Sequence, residues 1–218
     1  IRSLNIKEAS KLLKEGHLNP FKTIYLILLM PYILKLQCLN DALIPLYQDQ
    51  IDMNNLKNKS NPHPDSGCDI FFPQDIAYDV PTKENPMPER TKLIDLGIRC
   101  AAYEVRNFDE SQLDLISSDL ARPFAIHPRS SIYKTNFRLA NCSGIIDSGY
   151  RGQLKAPIDF HLFKYSNDVN FISNFLTIKK GQRLLQICMP NLSPFKVYIV
   201  DKLDNTLRGE GGFGSTGK

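Results

Sequence analysis

The segment Arg208-Gly-Glu-Gly-Gly-Phe-Gly-Ser-Thr-Gly-Lys218 joins an arginine, a lone aromatic and a glycine-rich strip that carries hydroxyl groups. Glycines let successive backbone N–H groups converge on phosphate oxygens without clashes from Cβ atoms. Arg208 offers a planar guanidinium to a terminal phosphate, and Phe213 offers a flat face to a base. The segment predicts closure over a nucleoside triphosphate, and composition alone leaves a disordered glycine-rich tail as the alternative.

A Walker A phosphate loop is a second alternative, because Gly212 and Gly217-Lys218 have most of its spacing. That loop follows a buried strand and opens a helix. Here the preceding residues 204–210 are polar and turn-like, so the context argues against it.

The composition is that of a soluble globular protein with one well-filled domain: the chain has 218 residues and is 42% hydrophobic. The net charge is only +4 and no run of Lys and Arg occurs, so we expect no nucleic-acid partner. The apolar run 24–34 contains Pro31 and is far shorter than the roughly 20 residues that cross a bilayer, so we expect no membrane span. The five cysteines form no CxxC pair, which favours a reduced, intracellular compartment, cytoplasm or nucleus.

Three regions are expected along the chain. Residues 1–40 form an extension docked on the main domain, mostly helical because Asn5 and Glu8 resemble a capping box before the apolar face of residues 6–15. Residues 41–207 form the main domain, and residues 208–218 form the nucleotide-closing tail. The extension is a candidate site for a protein partner.

The main domain shows the pattern of an all-β barrel or jelly roll, because many short apolar or alternating runs are separated by turn residues. Residues 49–65 and 106–119 are expected to be surface loops because they are polar and rich in turn-forming residues. The predicted strand regions are Ala42–Tyr47, Asp69–Phe72, Lys92–Tyr103, Pro123–Ile126, Leu154–Phe163, Phe171–Ile178, Arg183–Met189 and Pro194–Val200.

Four further short segments combine small, charged and polar residues, although each is weak when taken singly. They are Ser66-Gly-Cys-Asp-Ile70, His127-Pro-Arg-Ser-Ser131, Asn141-Cys-Ser-Gly-Ile-Ile-Asp-Ser-Gly-Tyr-Arg-Gly152 and Lys179-Lys-Gly-Gln-Arg-Leu-Leu-Gln186.

In this order, and followed by the segment 208–217, they resemble the five motifs of the trimeric deoxyuridine triphosphatase (dUTPase) family. The resemblance covers residues 66–217, and its third and fifth motifs are highly specific. It implies a distorted jelly-roll fold and a homotrimer whose three active sites each draw on all three chains. It also implies the hydrolysis of dUTP to dUMP and pyrophosphate with Mg²⁺.

The resemblance assigns roles to individual residues. Asp147 is the implied general base for water attack on the α-phosphorus, since carboxylates are ionised at neutral pH and can accept a proton. Gln186 lies near that water or the α-phosphate, and Asp69 faces the water shell of Mg²⁺. Residues 141–150 form a β-hairpin whose backbone reads the uracil edge. The implied substrate contacts are Arg129, Ser130, Ser131, Asn141, Gly144, Ile145, Ile146, Tyr150, Lys155, Arg208, Phe213, Gly214, Ser215 and Thr216.

Two alternatives stay open beside this assignment. A dCTP deaminase shares the implied fold, but that family needs a glutamate on the strand after the third motif, and residues 153–157 contain none. A non-catalytic regulatory protein on the same scaffold is the other, since fold alone never guarantees activity. The third motif also departs from the common family pattern, because Gly149 replaces a second Asp.

Overall fold

The computed structural model describes residues 32–58, 63–79, 83–85, 88–105, 108–161 and 176–212. The helix predicted at residues 6–15 and the tail residues 213–218 lie outside this part of the chain.

The described residues form short strands and one α-helix, α1 (Ile44–Asn58), with 3-10 turns at Asp41–Leu43, Glu110–Leu115, Ser118–Leu120 and Ser130–Lys134. This confirms the predicted all-β fold class. The strands are β1 (Tyr32–Cys38), β2 (Gly67–Ile70), β3 (Ile76–Ala77), β4 (Thr91–Asp95), β5 (Ile98–Glu104), β6 (Ala121–Arg122), β7 (Phe124–Pro128), β8 (Phe137–Leu139), β9 (Gly144–Ile146), β10 (Lys155–Phe160), β11 (Thr177–Ile178), β12 (Leu185–Cys188) and β13 (Phe195–Ile199).

The strands are arranged in four sheets, with the orders β13-β1-β5-β6, β4-β10-β8, β11-β3 and β2-β12-β7-β9. Apolar side chains from these sheets and from α1 share one core. A smaller cluster around Tyr103 lies beneath the 3-10 turns of residues 110–120.

Strand β1 corrects the boundary that we predicted at residue 40. Residues 32–38 pair with β5 on one side and β13 on the other, with Leu34 and Leu36 fully buried, so they belong to the main domain. The apolar run 24–34 overlaps the first residues of this strand, and the buried Lys35 interrupts its apolar pattern, which is why the sequence did not separate it from the preceding segment.

Helix α1 corrects two further predictions, a strand at residues 42–47 and a loop over residues 49–65. The Asn40 side chain accepts a hydrogen bond from the Ala42 N–H and starts the turn that leads into the helix. Pro45 is tolerated there because the first helical turn needs no N–H from it. Leu43 and Tyr47 are fully buried and attach the helix to the core.

The sheet β2-β12-β7-β9 brings together the sequence segments that carry the predicted site. Asp69 lies opposite Gln186, and Gln186 lies opposite His127 on the other side of β12. Adjacent strands are about 4.8 Å apart, so the ends of these strands place their side chains in one region.

The β-hairpin predicted over residues 141–150 does not form. The chain turns at residues 140–143, with Cys142 at a φ of 58°, and β9 then pairs with β7. Strand β8, which precedes the turn, pairs with β10. The two arms therefore join different sheets, because each finds its hydrogen-bond partners there.

Within the described residues, no helix is long and apolar enough to span a membrane. All five cysteines lie in the described part of the chain and are free thiols, three of them buried.

Candidate active site

Asp69 holds two arginines in one charged cluster at one end of the sheet β2-β12-β7-β9. Its Oδ1 lies 2.6 Å from Nε of Arg129, and its Oδ2 lies 3.0 Å from Nη1 of Arg183. The Arg129 guanidinium also donates to the Arg183 carbonyl at 3.1 Å. Two guanidiniums and one carboxylate leave a net charge of +1, which suits a phosphate chain.

Sequence reasoning assigned no role to Arg183, although it lies within the fourth segment. The available signal was a third basic residue after Lys179 and Lys180 in that glycine-containing segment. The structure places its guanidinium on Asp69 and 5.8 Å from the ring centroid of Phe71, so it is a phosphate-binding candidate equal to Arg129.

The side chain of Gln186, on β12, lies over Gly67 of the neighbouring strand β2. A Cβ atom at Gly67 would collide with the Gln186 amide, so glycine at this position lets that side chain keep the orientation it adopts. The Gln186 amide nitrogen donates to the Pro128 carbonyl at 3.3 Å, which holds it beside the arginine cluster.

A cavity of about 880 Å³ opens over this cluster. Its walls include Asp69, Arg129, Arg183 and Gln186 from the sheet, and Ser130 at its rim. The opposite wall is one face of α1, formed by Leu46, Asp49, Gln50, Met53, Asn54 and Lys57. Ser131 follows in the 3-10 turn Ser130–Lys134 and is half-buried.

Asn141 and Gly144 lie next to each other beside β7. A Cβ atom at Gly144 would lie 3.8 Å from Nδ2 of Asn141 and 3.6 Å from Cβ of Ile126. Ile145, on β9, exposes 76% of its surface, whereas Ile146 packs against the core. The Asn141 amide thus lies beside β9, the last strand of the sheet among the described residues.

Asp147 follows β9 and forms an ion pair with Arg208 of the same chain, with 2.6 Å between Oδ2 and Nη1. Residues 204–212 are held against this turn by further bonds: Thr206 Oγ1 donates to the Gly149 carbonyl, and the Arg151 N–H donates to the Gly209 carbonyl at 2.7 Å. The start of the predicted tail is therefore anchored beside Asp147.

Tyr150 is 8% exposed, and its hydroxyl donates to the Gln153 carbonyl at 2.9 Å. Its ring lies against Gly152 and Gly212, where any Cβ atom would be too close. Burial raises the pKa of the Tyr150 hydroxyl, so it stays a neutral donor.

A buried network fixes the segment that leads to Arg208. Arg151 is 6% exposed, and its Nε and Nη2 donate to the two oxygens of Asp204 at 3.0 and 3.2 Å. The Tyr103 hydroxyl donates to the same carboxylate. Burial opposes ionisation of Asp204, but the bonds from Arg151 and Tyr103 outweigh it and lower its pKa. Sequence reasoning missed this network.

Lys155 lies at the start of β10, and its Nζ is 3.3 Å from Oδ1 of Asp95 on β4. Its backbone, rather than its side chain, was the implied contact with a nucleotide.

The two halves of the candidate site lie at opposite ends of β7. Ile146 lies opposite Phe124, so Asp147 is beside the start of that strand, whereas Arg129 directly follows its end. At about 3.3 Å per residue, the two positions are roughly 20 Å apart along the strand. Asp147 of one chain thus lies far from the arginine cluster of that chain.

Comparison with known proteins connects these features to a family. A model of the dUTPase family matches residues 117–217. The deoxyuridine 5'-triphosphate nucleotidohydrolase of Finegoldia magna is 31% identical over 142 residues, which cover 61% of this chain and 92% of that protein. The chain belongs to the dUTPase family, the dUTP diphosphatases.

Two other members of the dUTPase family are also similar to this chain. The nucleotidohydrolase of Nautilia profundicola is 30% identical over 187 residues, covering 85% of this chain and 99% of that protein. That of Escherichia phage T5 is 42% identical over 91 residues, covering 41% of this chain and 55% of the phage protein. The most similar sequence is therefore concentrated in one part of the dUTPase domain.

Proposed function

We propose that this chain hydrolyses dUTP to dUMP and pyrophosphate by attack of water on the α-phosphorus. The observation that carries the proposal is the pair of guanidiniums from Arg129 and Arg183, clamped by one carboxylate at the wall of a cavity large enough for a nucleotide. Such planar donors match phosphate oxygens in pairs, and their charge offsets the charge that develops during the reaction.

Asp147 is the proposed general base. Its carboxylate is half-exposed and lies in a turn, where it can reach a water molecule once Arg208 turns towards the triphosphate. Gln186 is held beside the arginines by the Pro128 carbonyl and is placed to donate to an oxygen of the α-phosphate. Ser130 adds a hydroxyl donor at the rim of the same cavity.

Uracil recognition is proposed for residues 141–146. The Asn141 amide and the backbone around Gly144 offer both donors and acceptors to a base edge. Backbone groups cannot change their hydrogen-bonding character to suit cytosine, so a wrong base leaves polar groups unpaired. Tyr150 would then close the pocket against a 2′-hydroxyl.

The site is proposed to be completed by other copies of the chain, in a homotrimer. The roughly 20 Å between Asp147 and Arg129 along β7 supports this, since one dUTP α-phosphate cannot touch both within a single chain. Closed symmetry lets identical chains build identical shared sites. Residues 208–218 would close over the triphosphate, with Phe213 against the base.

Mg²⁺ is the proposed cofactor, entering with the triphosphate. No group of three His, Cys, Asp or Glu side chains is gathered among the described residues, and both oxygens of Asp69 already accept from arginines. These groups do not fit a directly ligated ion, but they fit one held by phosphates and water, with Asp69 facing that water. When bound, Mg²⁺ would neutralise charge on the phosphates.

The direct test is pyrophosphate release from dUTP, dCTP, dTTP and UTP by the purified chain, with and without a chelator. We expect release from dUTP well above release from the other nucleotides, and loss of release after chelation. Release of ammonia from dCTP without pyrophosphate would identify a deaminase instead. No product from any of the nucleotides would leave only a binding role.

A further inference from the structure

The outer edge of β2 is covered by side chains of α1. Among the described residues, strand β2 pairs with β12 on one side and with no strand on the other. At its end, the Phe72 N–H donates to the Gln182 carbonyl and the Phe72 carbonyl accepts from Gly181 on that paired side. Because successive residues of a strand point their backbone groups in opposite directions, those of Asp69 and Phe71 point to the free edge.

Two residues of α1, one turn apart, bond to three of those four groups. In the amide orientation that gives both of its ends a partner, Gln50 accepts from the Asp69 N–H at 3.0 Å and donates to the Asp69 carbonyl at 3.3 Å, and Cys68 Sγ lies 3.4 Å from the same amide. The Tyr47 hydroxyl accepts from the Phe71 N–H at 3.3 Å. The helix therefore takes the place of a neighbouring strand at the residue that carries the site carboxylate.

We propose that Gln50 is a positioning residue for the phosphate site. It fixes the backbone of Asp69, and the Asp69 carboxylate in turn fixes the guanidiniums of Arg129 and Arg183. Gln50 acts through Asp69 and needs no contact with the nucleotide. The proposal deepens the proposed function, because it concerns how the same site holds a triphosphate.

The arrangement favours positioning over simple attachment of the helix. Attachment is already supplied by Leu43 and Tyr47, which are fully buried, whereas Gln50 is half-buried at the wall of the cavity. Its amide makes two hydrogen bonds to the backbone of Asp69, so it fixes both the position and the orientation of that backbone. Loss of the amide leaves two backbone groups of Asp69 unsatisfied, and the arginine cluster loses its fixed anchor.

The experiment compares Gln50→Met with Gln48→Met. Methionine keeps the length and helix propensity of glutamine but not its hydrogen bonds. Gln48 lies on the exposed side of the same helix, where its amide contacts only Asp52 among the bonds described. Inorganic pyrophosphate binding is measured by calorimetry, deoxyuridine binding by the same method, and the thermal midpoint separately.

We expect Gln50→Met to weaken pyrophosphate binding about tenfold, with deoxyuridine binding close to wild type and the thermal midpoint lowered by only a few degrees. Gln48→Met should bind pyrophosphate within about twofold of wild type. In dUTP turnover, Gln50→Met should raise KM more than it lowers kcat.

Equal pyrophosphate binding by Gln50→Met and Gln48→Met would overturn the proposal. It would also be overturned if Gln50→Met lost pyrophosphate and deoxyuridine binding in parallel, or if the wild type did not bind pyrophosphate. If Gln50→Met does not fold, Gln50→Asn keeps a neutral polar side chain on the helix but is one methylene too short to reach the Asp69 backbone, and the same comparison applies with Gln48→Asn as its control. A wild type that binds pyrophosphate but does not hydrolyse dUTP would refute the proposed function while leaving this test intact.

Discussion

Arg208 and Asp147 of one chain form an ion pair, with 2.6 Å between Nη1 and Oδ2. The side chains are 43% and 52% exposed, and exposed pairs of this kind stabilise a protein by only about 0–1 kcal/mol. A triphosphate carries more charge than one carboxylate, so it can draw Arg208 away and leave Asp147 to a water molecule. The pair is thus compatible with catalysis.

Arg208→Ala should leave the thermal midpoint nearly unchanged and lower dUTP turnover about 10²-fold, because a donor to the triphosphate is lost. Glu210→Gln is the matched control. It removes the exposed pair with Arg99, at 2.6 Å, that anchors the same segment. Turnover lowered equally in both variants would mean that anchoring of the segment, rather than the Arg208 guanidinium, is what matters.

Asp147→Asn should fold normally and lose at least about 10²-fold in kcat, since the amide cannot accept a proton. Asp201→Asn, at an exposed site before the tail, should retain wild-type turnover. Near wild-type kcat in Asp147→Asn would remove this residue from the role of base. Circular dichroism on both variants separates loss of chemistry from loss of fold.

Asp204→Asn tests the buried network. The bonds from Arg151 and Tyr103 lower the pKa of folded Asp204 below its value in the unfolded chain. Its contribution to stability is therefore present above about pH 4 and is lost as pH falls through the lower, folded pKa. The thermal midpoint of Asp204→Asn should lie below that of wild type at pH 7, and the two should converge under acid.

The thermal midpoint of Asp201→Asn, measured over the same pH range, is the control for Asp204→Asn. A midpoint difference for Asp204→Asn that does not shrink at all as the pH falls from 7 into the acid range would show that ionisation of Asp204 contributes nothing. Loss of the hydrogen bonds to Asp204 should also reduce turnover of dUTP, because the segment from Asp204 to Arg208 would no longer be held in place.

Tyr150→Ala should raise turnover of UTP relative to dUTP, because a wall against the 2′-hydroxyl is removed. Tyr150→Phe keeps the ring and loses only the bond to the Gln153 carbonyl, so it should lower stability by about 1 kcal/mol without changing sugar choice. Competition between the two nucleotides measures the ratio directly. An unchanged ratio in Tyr150→Ala would make Tyr150 a packing residue only.

The sequence revealed most of the strands because their alternation is local. The run Lys92–Tyr103, for example, covers all but one residue of β4 and one of β5, and its break falls at Gly97, which adopts a φ of 70° that glycine tolerates best. Helix α1 was missed for the opposite reason. It is polar on most faces, and it is attached to the core through the burial of Leu43 and Tyr47, which no local pattern reveals.

Site residues that lie in compact motifs were identifiable one by one, but their grouping was not. Asp69 and Arg129 are far apart in sequence and meet only because β12 pairs with both β2 and β7. Asp204 depends in the same way on a distant arginine and tyrosine. Pairing partners of this kind are determined by the whole sheet rather than by neighbouring residues.

Complementation between two inactive chains tests the shared site most directly. Arg129→Ala and Asp147→Asn each disable a different half, and the halves lie roughly 20 Å apart along β7 of one chain. If sites form between copies, unfolding and reassembling an equal mixture should place an intact Asp147 beside an intact Arg129. About a quarter of the sites would then be intact by chance in a closed homo-oligomer. The account predicts recovery of dUTP turnover towards that fraction of wild type, and turnover no greater than the sum of the two separate variants would contradict it.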